Sequence, residues 1–248
     1  MAKQKIRLDQ RIAQLLSTAS RQQIQSWIMQ GKVTAGGVAL TKPGMPVDPE
    51  LELNLDIEEP KYVSRAGYKL EKALDHFGID VSDLVALDAG ISTGGFTDCL
   101  LQRGARKVYG IDVGYGQVHE KIAQDPRLEL HERTNLRTLT SVGHQVDLVT
   151  LDLSFISVLK VMHAVNAVLK AGCRLIVLIK PQFEAERHEV GRGGIIKDSG
   201  VHTRVIGTVT AGIVSEGYEL QGVIESPLLG GSGNKEFLAC FTKNKGES

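Results

Sequence analysis

Leu8, Ile12, Leu15 and Leu16 recur at the i, i+4, i+7, i+8 spacing of one helical face, with Arg7 and Arg11 beside it. A second helix follows at once. Ser20-Arg21-Gln22-Gln23 has the S-x-x-Q form of a capping box, Ile24, Trp27 and Ile28 make the apolar stripe, and Gly31 supplies the stop. Trp27 shares that stripe, so it is expected in the core rather than as a stacking platform for a base. The period then changes from helical to alternating. Short strands over 33–35 and 38–40 flank Gly36-Gly37, which suits a tight hairpin, and Leu51, Leu53, Leu55 and Ile57 alternate with polar residues as a half-buried strand does. Residues 1–59 read as a small α+β domain, two helices packed on a small sheet.

Glu58-Glu59-Pro60-Lys61 marks the expected boundary, and residues 60–248 follow a different rule. Leu70, Ala73, Leu74 and Phe77, ended by Gly78, predict an opening helix. Apolar runs then predict seven strands, over 84–88, 107–112, 128–131, 147–152, 173–180, 219–225 and 236–242, with helices between most of them. That order builds an α/β domain, a largely parallel sheet covered on both faces.

Composition sharpens this picture only in places. Lys+Arg 29 balances Asp+Glu 29 over 248 residues, and 42% hydrophobic with 23% charged is globular rather than disordered or fibrous. The balance hides an asymmetry, because residues 1–42 carry seven basic residues against the single acid Asp9. No uncharged stretch approaches the roughly 20 apolar residues of a membrane span, and the first residues lack the apolar block of a signal peptide. A cytoplasmic protein without membrane association is expected. Cys99, Cys173 and Cys240 lie far apart, and the seven histidines show no ligand spacing, so neither a disulfide framework nor a metal site is expected.

The first strand of the large domain runs into Asp88-Ala89-Gly90-Ile91-Ser92-Thr93-Gly94-Gly95-Phe96, where glycines let the backbone turn sharply against a ligand at a helix N-terminus. It is not the dinucleotide fingerprint, since Ser92 stands where the second glycine belongs. Asp112 ends the next strand, where a carboxylate can accept bonds from both hydroxyls of an unphosphorylated ribose. Asp88, Gly90 and Asp112 together resemble the S-adenosylmethionine site of the seven-stranded, Rossmann-like methyltransferases. That resemblance implies a cofactor set of Asp88, Gly90, Ser92, Thr93, Gly94, Gly95, Phe96, Asp112, Asn135 and Asp152, with Asp88 near the cofactor's amino-acid end. The alternatives are a loop that merely turns strand into helix, and an Asn135 that merely turns the chain.

Lys69 in the opening helix, Asp152 and Lys180 at strand ends, and Glu236 at the start of the last strand are charged residues that an open sheet would gather at its carboxyl edge. Lys180 follows the apolar run 175–179, and Pro181 breaks the strand behind it. This Lys-Asp-Lys-Glu set resembles the tetrad of the FtsJ-like ribose 2′-O-methyltransferases, and within them the TlyA, or hemolysin A, family. Residues 63–70, 88–96, 132–135, 152–157, 179–184 and 233–237 carry the likeness. Over residues 6–58 the helix-helix-hairpin order, the Arg7-Leu8-Asp9 opening, Ser20-Arg21 and the stretch from Gly31 to Leu40 resemble the RNA-binding module named after ribosomal protein S-four. The resemblance implies methylation of a ribose, a cytidine's, in ribosomal RNA, with ribosomal subunits as partners. By position, Arg7, Arg11, Arg21 and Lys32 are the expected phosphate contacts, joined by Arg65 on the Lys69 face. The alternative for such residues is a solvated face. The segment 182–197, with Arg187, His188 and Arg192, reads either as a mobile loop closing over RNA or as an ordinary surface loop.

A ribose hydroxyl is a weak nucleophile, so oxygen, methyl and sulfur must be held in line and a proton removed. Lys180 is expected nearest the hydroxyl. Like-charge repulsion from Lys69 would favour its neutral, proton-accepting form with Asp152 and Glu236 positioning the pair; alternatively Lys180 stays charged and steers the oxygen. Three rival functions are weighed. Base methylation is disfavoured because Asp152-Leu153-Ser154-Phe155 lacks the prolines of a D-P-P-Y loop. An RNA-binding assembly factor that kept the fold is opposed by the intact tetrad. Membrane lysis lacks both a span and a strongly amphipathic cationic helix.

Overall fold

The computed structural model describes residues 5–16, 19, 21–57 and 60–245. The chain divides into two compact units, Met1–Pro60 and Lys61–Ser248. In the first, β1 (Ile6–Arg7) leads into α1 (Leu8–Leu15), followed by α2 (Arg21–Met29), β2 (Val33–Ala35), β3 (Val38–Ala39), β4 (Pro46–Val47) and β5 (Asn54–Leu55). β3, β2 and β5 form an antiparallel sheet, and β1 pairs with β4. Leu8, Ile12, Ile24, Ile28, Val33 and Val47 make the core, with Trp27 packed against it.

Three details of this unit differ from expectation or fall outside it. Leu15 is 46% exposed because the helix ends there, and Leu16 packs on the core instead. The strand expected over 51–57 shrinks to two residues, since its partner β2 is three residues long, although Leu51, Leu53, Leu55 and Ile57 keep their alternating burial. Ser20, and with it the expected capping box, lies outside the described residues, as do Glu58 and Glu59. The Gly31 stop is realised in full. Lys32 N donates to Trp27 O and Gly31 N to Ile28 O, a Schellman closure that needs the left-handed φ of +73° at Gly31.

The second unit opens with α3 (Ala66–His76), then β6 (Val85–Ala89), α4 (Gly95–Gln102), β7 (Lys107–Ile111), α5 (Glu120–Ala123), β8 (Leu128–His131), β9 (Val146–Leu151), α6 (Met162–Val168), β10 (Leu169–Ile179), α7 (Pro181–Glu184), α8 (Ser199–Ser215), β11 (Tyr218–Glu225) and β12 (Phe237–Lys243). Its seven strands lie in the order β11-β12-β10-β9-β6-β7-β8. Pairing is parallel from β10 through β8, and β12 runs antiparallel to both β10 and β11. This is a Rossmann-like, doubly wound sheet.

The central strands β6, β7, β9 and the outer half of β10 read as apolar runs because both faces are buried, whereas the edge strands β8 and β11 mix polar with apolar residues. Leu87, Ala89, Val177 and Ile179 face the core shared with α6 and α8, while Ala86, Ile176 and Leu178 face the core shared with α3, α4 and α5. From β6 the chain winds out to β7 and β8, then returns to β9 on the other side of β6. The β6/β9 junction is therefore the switch point, where an open sheet leaves a crevice at its carboxyl edge.

Candidate active site

At that edge lies a cleft of about 510 Å³ whose walls include Gly90, Ser92, Asp112, Asn135 and Asp152. The loop after β6 is built tightly. Gly90 has φ +83°, and a Cβ there would sit 2.4 Å from the Asp152 carbonyl oxygen, so only glycine lets this turn approach β9. Ser92 is also left-handed, at φ +48°. Asp112 holds the geometry: its Oδ2 accepts from Ser92 N at 2.8 Å and its Oδ1 from Gly114 N at 2.7 Å. One carboxylate thus staples the loops after β6 and β7 while still facing the cleft.

The structure divides the expected cofactor set. Thr93, Gly94, Gly95 and Phe96 turn into α4 and do not border the cleft. Asp88 does not either. It is fully buried, on the same sheet face as Ala86, where its Oδ2 accepts from Thr97 Oγ1 at 2.7 Å and its Oδ1 from Thr150 Oγ1 at 3.1 Å. Burial pushes its carboxyl up to about 7, the nearby charge of Asp152 adds to this, and the two threonine hydroxyls oppose it. Asp88 thus lies beneath the loop, because period-two alternation points position 88 into the α4 layer.

The four charged residues do meet at the edge, as two ion pairs. Lys69 Nζ donates to Glu236 Oε2 at 2.6 Å, with side chains 11% and 3% exposed. Lys180 Nζ lies 2.6 Å from Asp152 Oδ1 and donates to Ser154 Oγ at 3.0 Å. The register brings them together: Ile179 pairs with Phe237 and Val177 with Leu151, so the next residues outward on β10, β12 and β9 include Lys180, Glu236 and Asp152. Two corrections follow. Glu236 precedes β12 rather than starting it, and Gly230 makes room for its carboxylate, since a Cβ there would lie 2.3 Å from Glu236 Oε1. Each lysine has its own counter-charge, so Lys69 does not face Lys180 as an uncompensated like charge.

Three groups escaped the sequence reading. Phe155 is 90% exposed at the cleft wall, held at φ +66° with its ring centroid 5.0 Å from that of Phe183. A left-handed backbone that holds a large apolar ring in water is strained, and it sets Phe155 out at the cleft wall. Asn234, 1% exposed, accepts from Ile196 N at 2.9 Å and donates to Gly194 O at 2.8 Å. The segment 182–197 is therefore tethered to the strand-leading segment of Glu236, with 3-10 turns at Arg187–Glu189 and Arg192–Gly194, rather than a free loop. Only the Lys-Glu-Phe that follows Asn234 hinted at it. Arg137, also unforeseen, lines the cleft and a neighbouring cavity with Lys160 and His163.

In the other unit Arg7 is 46% exposed and forks onto Asp9, Arg21 is 76% exposed, Lys32 is exposed, and Arg11 is half-buried with its Nε lacking a hydrogen-bond partner. Arg65 stands exposed at the start of α3.

Comparison with known proteins agrees with this architecture. The S4 domain matches residues 6–53 and the FtsJ-like methyltransferase matches residues 62–243. A Mycobacterium tuberculosis protein named 16S/23S rRNA (cytidine-2′-O)-methyltransferase TlyA is 40% identical over 235 residues, spanning 94% of this chain and 88% of its own. Hemolysin A of Brachyspira hyodysenteriae is 38% identical over 239 residues, spanning 95% and 99%. A solved Streptococcus thermophilus structure assigned by name to the hemolysins superposes with a TM-score of 0.76 at 39% identity, covering 98% of this chain and 90% of its own. Sharing sequence across both units, and the sheet order that brings its paired lysines and carboxylates to one edge, this chain belongs to the FtsJ-like methyltransferase family and carries an S4 domain in its N-terminal unit.

Proposed function

We propose that the protein transfers a methyl group from S-adenosylmethionine to the 2′-hydroxyl of a cytidine ribose in ribosomal RNA, in the cytoplasm where that substrate resides. The observation that carries this reading is the double ion pair at the carboxyl edge of the sheet, Lys69–Glu236 and Lys180–Asp152, the latter formed on a carboxylate that lines the cleft. The relative named TlyA supports the choice of acceptor. The residues present suit the cofactor. Gly90 leaves the crevice open where any Cβ would close it, and Asp112, Asn135 and Asp152 offer acceptors along the cleft.

When bound, S-adenosylmethionine would supply an electrophilic methyl on a sulfonium that leaves as the neutral thioether, and with Lys180 as an ammonium the proton of the methylated hydroxyl would pass to water at the mouth of the cleft. The chain's own residues do the rest. Lys180, anchored between Asp152 and Ser154, sits where the hydroxyl must enter. Its direct ion pair supports the orienting assignment, an ammonium that fixes the oxygen so that a lone pair faces the methyl. Lys69 and Glu236 hold the neighbouring wall, and Glu184 accepts from Val158 N at 2.8 Å, tying the loop after β9 to α7 behind Lys180. Exposed Phe155 and its neighbour Phe183 give the target nucleotide an aromatic surface at the mouth.

The test is transfer of labelled methyl to purified 30S and 50S subunits, mapped by resistance to alkaline cleavage. Ribose label that falls by about 10²-fold or more in Lys180→Ala supports the reading; cofactor binding with no labelled ribosomal RNA overturns it. Lys180→Arg separates the two roles of the lysine. An orienting cation survives that change in part, whereas a base is lost as fully as with alanine. The hemolysin names of relatives bring no membrane argument here: among the described residues no helix is long and apolar enough to cross a membrane.

A further inference from the structure

We propose that Asp9, the one acid among residues 1–42, is a positioning residue for RNA binding that acts through Arg7 and Arg21. The inference rests on the RNA-binding part of the reading above. Asp9 is 3% exposed, yet it is surrounded by exposed cations. Its Oδ1 accepts from Arg7 Nε at 2.9 Å and its Oδ2 from Arg7 Nη2 at 2.8 Å, a bidentate fork. Oδ2 also accepts from Gln25 Nε2 at 3.3 Å and lies 3.9 Å from Arg21 Nη2, while Oδ1 accepts from Gln10 N at 3.0 Å. One buried carboxylate therefore joins β1, α1 and α2.

The consequence is geometric. Arg7 is held by one edge of its guanidinium, leaving the outer edge, with Nη1, directed away from Asp9. Arg21 is drawn toward the same carboxylate and stays 76% exposed. Arg7 is thereby held in one orientation, and Arg21, approaching the same carboxylate from α2, is biased toward it by charge alone. The carboxyl is held down to about 2, chiefly by the Arg7 hydrogen bond, so it stays ionised at any pH where RNA is bound.

Charge counting and geometry now predict opposite results. Removing an acid from a basic RNA-binding face raises its positive charge and should tighten binding. Removing the group that holds Arg7 and biases Arg21 should weaken it, because their rotamer freedom must then be lost on association. The geometry points to the second outcome.

The test uses the full chain and purified ribosomal subunits, with affinity measured by filter binding over a salt series. Asp9→Asn should weaken binding about five- to tenfold, the loss expected for freeing Arg7 and loosening Arg21, and leave S-adenosylmethionine affinity unchanged. In an Arg7→Ala background the same Asp9→Asn change should cost little, since its principal intermediary is gone. Tighter or unchanged binding by Asp9→Asn, or an equal loss in both backgrounds, overturns the proposal. Should Asp9→Asn unfold the first unit, Arg7→Lys keeps the charge and removes the fork: a several-fold loss supports the proposal and an unchanged affinity refutes it. A protein that binds subunits without methylating them would sink the catalytic reading while leaving this comparison intact; one that binds no ribosomal RNA would overturn both.

Discussion

Replacing Asp88 by asparagine tests whether this residue braces the fold or binds the cofactor. In the native unit its carboxyl is pushed up to about 7 from the ordinary 3.8, because burial in the α4 layer, with the like charge of Asp152 nearby, outweighs the two threonine hydroxyls and the Thr97 backbone N–H that donate to it. A folded-state value above the unfolded one means that stability is fullest below the unfolded value and is lost as pH rises through the folded one. The whole loss is on the order of 4 kcal/mol, more than half of it falling between about pH 5 and pH 8. An asparagine at this position would carry no charge, and the Thr97 and Thr150 hydroxyls can each donate or accept, so both its amide atoms can be satisfied. Unfolding by denaturant at several pH values should show Asp88→Asn gaining on the unsubstituted protein by about 2–3 kcal/mol over that interval, or about 5–10 °C in melting temperature. Parallel stability curves would refute the argument. Calorimetric titration with S-adenosylhomocysteine on the same samples completes the test, since a brace leaves its affinity within a few-fold whereas a ligand group does not.

Gly90→Ala should lower affinity for S-adenosylhomocysteine at least tenfold and destabilise the fold by about 2 kcal/mol, since the new methyl combines positive φ with a 2.4 Å approach to the Asp152 carbonyl; unchanged calorimetry would count against the crevice. Asn234→Ala should cost about 2 kcal/mol by orphaning Ile196 N and Gly194 O, and amide exchange at 194–196 should accelerate; unaltered protection would mean that the tether holds without it. Phe155→Ala should leave stability within about 0.5 kcal/mol, because the ring is 90% exposed, yet raise KM for the RNA substrate; an unchanged KM would remove the ring from the substrate surface.

Local pattern determined most of the architecture. The central strands of the large sheet were visible as apolar runs, because a strand buried on both faces needs no alternation, and glycine positions marked the turns that only glycine allows, at Gly31 and Gly90. The four residues of the double ion pair were also legible, because parallel strands deliver their carboxyl ends to one edge and each of Asp152, Lys180 and Glu236 stands where an apolar run stops or starts. Tertiary structure decided what those residues face. Which lysine meets which carboxylate depends on strand order, and β12 inserted between β10 and β11 carries Glu236 to Lys69 rather than leaving the two lysines opposed. Asp88 opens the loop, and pleat parity points it into the helix layer. The tether through Asn234 joins residues about forty positions apart, and the fork of Arg7 onto Asp9 turns an apparent impurity in a basic segment into its organiser. A side chain's direction and its distant partners are set by packing, and periodicity along the chain carries no information about either.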